Sequence, residues 1–204
     1  MAPRDRERDR EPGPGPGPGL AGMSDDDVMC AHQRGDERAF PLLFQRYGSR
    51  IYSYFVHTTS DRALAEDLLQ QTFLTVHRAR ATFRPQARFA PWLYTIAANL
   101  RRTSIRTRVR SHIALTADGQ LPEPPPAASP AAAAAAAEDR HEAVRQAVAA
   151  LPESYRDVIL LHRWHELGFA EIADVLGTTE GAVKVRAHRG YLQLREALAR
   201  AGIA

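Results

Sequence analysis

Cysteine is almost missing from this chain of 204 residues: Cys30 stands alone, so no internal disulfide and no cysteine-based zinc site can form. Long apolar runs are missing too, and none reaches the roughly 18 residues that a membrane span requires, so no membrane insertion is expected. The N-terminus is charged and then repeats Pro-Gly, without the apolar stretch of a secretion signal. These absences predict a cytoplasmic protein. No Gly-rich phosphate loop and no catalytic-triad signature is present. His162 and His165 stand near each other, but no third ligand is spaced to complete a metal site. The chain is therefore expected to be no enzyme, to use no cofactor and to hold no metal.

The most informative absence is local. From Leu68 to Ala117 there is no Asp or Glu, while nine Arg occur. Residues 118 to 180 reverse the balance, with eleven acids against four Arg, and Lys184, Arg186, Arg189, Arg195 and Arg200 then outweigh Glu196 at the end. The formal net charge of +3 hides two basic blocks separated by an acidic one. Two basic blocks in one chain predict two contacts with a polyanion.

The remaining composition supports a packed, all-α protein of two small domains. Residues 1–22 alternate charge and repeat Pro-Gly, leaving almost nothing to bury, and are expected to be disordered. Ser24 is a candidate N-cap for the helix opened by Asp25, Asp26 and Asp27, so the folded part is expected to start at Met23; translation from Met1 or from Met23 stays open. Phe40, Leu43, Phe44 and Tyr47, then Leu64, Leu68, Leu69, Phe73 and Val76, recur at helical spacing, with a loop around Thr58 to Asp61. The prolines of Thr82 to Pro91 predict a loop, and Trp92, Ile96 and Leu100 mark a further helix with an Arg-rich tail. The first domain is placed at 23–113. Residues 114–137 hold five prolines and an alanine run, which reads as a linker whose alanines could extend the next helix. The second domain, 138–204, is helical again, with Val144, Val148 and Leu151, a break at Pro152, then Tyr155, Val158, Ile159 and His162.

Within it, Phe169 to Arg189 reads FAEIADVLGTTEGAVKVRAHR, the placement of small and apolar residues expected of a helix-turn-helix. Ala173 is small where two helices cross, Gly177 can take the left-handed turn, Ile172 and Leu176 face the core, and Val183 plugs the second helix onto the first. Thr179 is a candidate N-cap of that second helix, which exposes Lys184, His188 and Arg189 toward a DNA groove.

Taken in order, RGDERAFPLLFQRY, AEDLLQQTF, PWLYTIAANL and LPESYRDVILLHRWHELGFAEIADVLGTTEGAVKVRAHRGYLQLR resemble a bacterial extracytoplasmic-function sigma factor, the two-domain form of the sigma-70 family. The resemblance covers roughly residues 24–110 and 138–200. It implies a protein that binds core RNA polymerase, recognises the −10 and −35 promoter elements and helps to open DNA, with an anti-sigma factor as a further partner. By this resemblance Glu66, Asp67, Gln70, Gln71 and Phe73 belong to the polymerase-binding helix, where Leu68, Leu69 and Phe73 either pack the core or line the rim. The segment PWLYTIAANLRRTSIR corresponds to the region that reads melted −10 DNA. There Asn99 suits a base-edge hydrogen bond, and Arg84, Arg88, Arg101, Arg102 and Arg106 suit phosphates, while Trp92 is placed in the core. In the duplex −35 region, Lys184, Val185, His188 and Arg189 lie where the family reads bases and Arg186 suits a phosphate. The family's usual Asp a few residues after Asn99 is replaced by Thr103, which predicts loss of a structural salt bridge. Gly181-Ala182-Val183 replaces the usual Gly-Thr-Val, and Val185 a usually polar residue.

The alternative is a helix-turn-helix transcriptional regulator that binds duplex DNA without polymerase. The acid-free basic block of the first domain weighs against it, because a sensor domain needs no second polyanion surface.

Overall fold

The computed structural model describes the backbone of residues 19–115 and 135–203, and the side chains of 19–108 and 142–203. Among the described residues the regular structure is helical, with eight α-helices and two single 3-10 turns at Leu20–Gly22 and Arg80–Thr82. The disorder expected for 1–22 falls largely, and the linker expected at 114–137 mostly, outside the described residues.

Four helices form the first unit: α1 (Asp25–Gln33), α2 (Ala39–Thr59), α3 (Arg62–Ala79) and α4 (Phe89–Leu115). The acidic run that opens α1 does more than complement its dipole. Ser24 accepts from the Asp27 N–H as N-cap. Asp25 takes the Arg46 guanidinium at 2.6 Å and the Tyr47 hydroxyl at 2.5 Å, and Asp26 accepts from the Phe89 N–H at 2.6 Å. One acid therefore pins α2 and the next satisfies an otherwise free donor at the start of α4. The α2–α3 turn closes through Ser60, left-handed at φ 55°, and Asp61, whose carboxylate caps α3 at the Leu64 N–H. Leu43, Ile51, Phe55, Leu68, Val76 and Leu93 fill the core between these helices.

The second unit holds α5 (Ala135–Ala149), α6 (Glu153–Arg163), α7 (Phe169–Leu176) and α8 (Glu180–Arg200). Its turn chemistry follows the sequence reading: Gly177 sits at φ 63°, and Thr179 accepts from the Ala182 N–H. Ile172, Ala173 and Val183 are buried at the α7–α8 crossing, while Val175 rather than Leu176 takes the deeper core position. Gly190 lets α8 lie close on α6, for a Cβ there would stand 3.1 Å from Ile159 Cγ1 and 3.3 Å from Tyr155 Cβ.

Two local expectations need correction. The loop expected to run to Pro91 ends at Arg88, because proline fits the first turn of a helix, where its missing N–H costs nothing, and α4 begins at Phe89. Phe44, read as part of an apolar face, is 45% exposed. The apolar stripe of α2 is wider than the surface α3 and α4 cover, so its edge stays outside.

Candidate functional site

On α3 the side chains of Glu66, Asp67, Gln70 and Gln71 all lie exposed on the face opposite Leu64, Leu68 and Val76. The spacing of four residues between Glu66 and Gln70, and between Asp67 and Gln71, stacks the pairs on consecutive turns. Phe73 does not share that surface: it is 3% exposed and stacks edge-on against Phe44 at 4.8 Å between ring centroids. Named with the polymerase-binding residues but left open between core and rim, Phe73 takes the core position, since it points with Leu68 and Val76 into the bundle. Leu69 is half-buried. Phe44, which the periodic pattern had no means of separating from core residues, and Leu74 (46% exposed), which lay outside that pattern, place large apolar groups on the outside of the α2–α3 pair.

The basic block has a more varied fate. Arg84 in the loop before α4 and Arg106 on its outer turns are exposed. Asn99 is exposed, and its Oδ1 accepts from Arg102 Nη2 at 2.9 Å. Arg102, half-buried, also donates to the Val175 carbonyl at 3.2 Å, and Arg88 pairs with Glu171 at 2.5 Å, both partners lying in the second unit. Arg101 is only 2% exposed and is held by Asp157 at 2.5 Å and Glu153 at 3.0 Å. A guanidinium buried to that degree cannot meet phosphate in this arrangement. Its placement among the exposed phosphate contacts is corrected: acids of α6 occupy it. Burial pushes the Asp157 carboxyl up, to about 6, against the attraction of Arg101. At the position of the replaced Asp, Thr103 is exposed and its hydroxyl donates back to the Asn99 carbonyl of its own helix. Trp92 is half-buried against Phe83 at 5.3 Å.

The outer face of α8 is open. Lys184, Val185, His188 and Arg189 are exposed, with Val185 at 51%, while Arg186 is half-buried. Glu180 pairs with Lys184 at 2.7 Å one turn away and holds its ammonium against the helix. Below this face Val183, Ala187 and Gly190 are buried at three- and four-residue steps, so the packing of one side fixes which residues the other presents.

The two histidines considered as a metal pair do separate work. His162 Nδ1 lies 3.0 Å from the Leu167 carbonyl, and its ring stacks on Phe169 at 4.5 Å. His165 is buried against Tyr94 at 4.7 Å and Tyr54 at 5.9 Å. Among the described residues no group of three metal-ligating side chains comes together, and no helix is long and apolar enough to cross a membrane.

Comparison with known proteins places both units. Residues 43–111 match the family model for sigma-70 region 2, and residues 141–194 match that for sigma-70 region 4. The RNA polymerase sigma factor CarQ of Myxococcus xanthus is 37% identical over 168 residues, covering 80% of this chain and 91% of CarQ. The ECF RNA polymerase sigma factor SigW of Bacillus subtilis is 29% identical over 181 residues, covering 81% and 92% respectively. Among solved structures, the sigma factor RpoE in its complex with the anti-sigma factor NepR from Bartonella quintana superposes with a TM-score of 0.67 at 23% identity, over 78% of this chain and 96% of that one. CnrH in complex with the cytosolic domain of CnrY gives 0.65 at 23% identity, over 87% and 99%. With regions 2 and 4 present in order and relatives of this identity spanning most of both chains, the chain belongs to the extracytoplasmic-function group of the sigma-70 family, as an RNA polymerase sigma factor and not an enzyme.

Proposed function

We propose that this sigma factor docks on core polymerase through the outer face of α3, holds the melted −10 strand along α4 and reads the duplex −35 element with α8. The exposed row Glu66, Asp67, Gln70 and Gln71 offers two carboxylates and two amides to a basic partner surface, with the apolar side chains of Phe44 and Leu74 near by. Asn99, carrying both donor and acceptor, suits an unstacked base, while Arg84, Arg88, Arg102 and Arg106 suit its phosphates. On α8, Lys184, His188 and Arg189 bring donors to base edges, and the Val185 methyl groups suit the methyl of thymine. Arg186, at the flank of that row, suits phosphate.

The observation that carries this reading is the open row on α8, presented by a helix-turn-helix whose packing matches the sequence motif at each small or capped position. Together with the acid-free basic stretch that precedes the linker, it supports two DNA contacts in one chain. The working place of such a protein is the cytoplasm, where polymerase and promoter DNA are found. An anti-sigma factor is a further proposed partner, supported by the likeness to RpoE, a sigma factor solved in complex with the anti-sigma factor NepR. Reconstituted transcription with core polymerase tests the reading, followed by sequencing of the transcript 5′ ends. Initiation at a defined set of promoters sharing two elements is expected; random initiation, unchanged by the protein, would refute it.

A further inference from the structure

Helix α1 packs on the 3-10 turn that follows α3 and on α4, and it grips the segment between them at both ends. At its last residue the half-buried Gln33 donates from Nε2 to the Arg80 carbonyl at 3.1 Å and to the Phe83 carbonyl at 3.0 Å, with the Ala81 carbonyl at 3.4 Å. Two helical turns earlier on the same helix, Asp26 accepts from the Phe89 N–H at 2.6 Å. The partners stand 47 to 63 residues away in the chain. Arg84 directly follows the first fixed point, and Arg88 directly precedes the second.

The segment has little of its own to hold it. Its backbone closes two turns, from the Phe83 N–H to the Arg80 carbonyl at 3.3 Å and from the Ala87 N–H to the Arg84 carbonyl at 2.8 Å. Phe83 is only 2% exposed and stacks on Trp92 at 5.3 Å and on Phe89 at 6.3 Å, which sets the depth of the segment. The Gln33 amide sets the direction of its carbonyls, which lie at the end of a 3-10 turn where no further turn supplies donors. A carboxamide suits this place: it donates two hydrogens from one nitrogen and carries no charge. A carboxylate at position 33 could not donate, and it would attract the guanidinium groups of the basic segment beside it.

We propose that Gln33 is a positioning residue for strand capture: its hydrogen bonds fix the backbone of residues 80–83 and so hold Arg84 where a phosphate of the displaced −10 strand can reach it. A loop held in place before DNA arrives gives up less freedom on binding. The inference rests on the assignment of Arg84 to a phosphate of that strand. It is tested with holoenzyme reconstituted from the full chain and core polymerase, at a promoter that this enzyme uses, with 2-aminopurine in the −10 element reporting the rate of opening. Gln33→Met keeps the length of the side chain and removes both donated hydrogens. It is expected to slow opening about fivefold, as is Arg84→Ala. The double variant is expected to fall no more than about twofold below Arg84→Ala alone, because residues that act through one contact do not add. A purely structural role for Gln33 would not depend on Arg84, so a loss from Gln33→Met that persists in full beside Arg84→Ala overturns the positioning. Wild-type opening by Gln33→Met, with Arg84→Ala slow, overturns it too and leaves the −10 assignment standing. Wild-type opening by Arg84→Ala removes that assignment and the inference with it. If Gln33→Met fails to join core polymerase, Gln33→Asn, whose amide falls one methylene short of the carbonyls, carries the same cycle with an expected loss of about threefold.

Discussion

His165 shows how a single side chain reports on the junction between the two units. Burial pushes its imidazole down, to about 3, and Arg50 and His57 add repulsion. Because the folded value lies below the ordinary 6.5, the stabilising contribution of neutral His165 is complete above pH 6.5 and is lost progressively as pH falls toward 3. At pH 5 that loss is about 2 kcal/mol. Asp157 acts in the opposite direction, since its raised value favours the folded form as pH falls through about 6, with Arg101, Glu153 and Arg156 facing it. His165→Phe keeps a ring against Tyr94 and removes the unpartnered Nδ1. At pH 7.5 the variant is expected to melt at or above the wild-type temperature. Between pH 6.5 and 5 the difference between the two should widen by about 2 kcal/mol in favour of the variant. A constant difference across that range, in thermal melts followed by circular dichroism, would show that His165 does not titrate with the fold. The burial of His165 and of Arg101 had no signal in the sequence: a histidine after Trp164 and an arginine in a basic run both read as surface residues until another unit covers them.

At the scale of the element, α8 is decided on both of its faces. Gly190 is its closest approach to α6, so Gly190→Ala must push Ile159 or Tyr155 aside. A loss of about 1–3 kcal/mol in chemical denaturation is expected, with no gain in helix propensity large enough to cancel it. On the opposite face, Lys184→Ala and Arg189→Ala separate base reading from charge. Contact with base edges predicts a cost of about 1–3 kcal/mol confined to certain −35 sequences. A uniform loss over all sequences, with the salt slope reduced by about one, would make them phosphate contacts. Much at this scale was legible beforehand: the caps at Ser24 of α1 and Thr179 of α8, the left-handed Gly177 and the crossing at Ala173 follow from local sterics that a short segment carries by itself. Phe73 and Phe44 were not legible. Both fit an apolar period of three or four, and only the position of neighbouring helices made one core and left the other outside.

For the whole molecule the governing quantity is reach. Helix α4 ends at Leu115 and α5 begins at Ala135, leaving 19 residues between them. Extended at about 3.1 Å per residue, they can cover about 59 Å, more than the roughly 52 Å between promoter elements. Deleting about twelve residues from Leu121 onward leaves about 22 Å. The shortened protein is expected to lose run-off transcription from promoters with both elements at normal spacing, while thermal melts show both units still folded. Wild-type transcription from it would mean that the units do not straddle the promoter.

The sequence by itself determined most of the helices, the caps at Ser24 and Thr179, the helix-turn-helix and the family, because each depends on residues within one or two turns or on an ordered set of motifs. It also separated the basic blocks from the acidic one, since charge is a property of composition. Only the tertiary structure decided which of those charges are free. Arg101 and Asp157 lie 56 residues apart and carry no mutual signal in the chain, yet packing of α4 against the second unit buries both and joins them. A charge buried in this way is governed by desolvation and by its partner rather than by its neighbours in sequence. That is why a run of arginines that reads as one DNA-binding surface divides, in the folded molecule, into an exposed part at Arg84 and Arg106 and a part held by the protein's own acids.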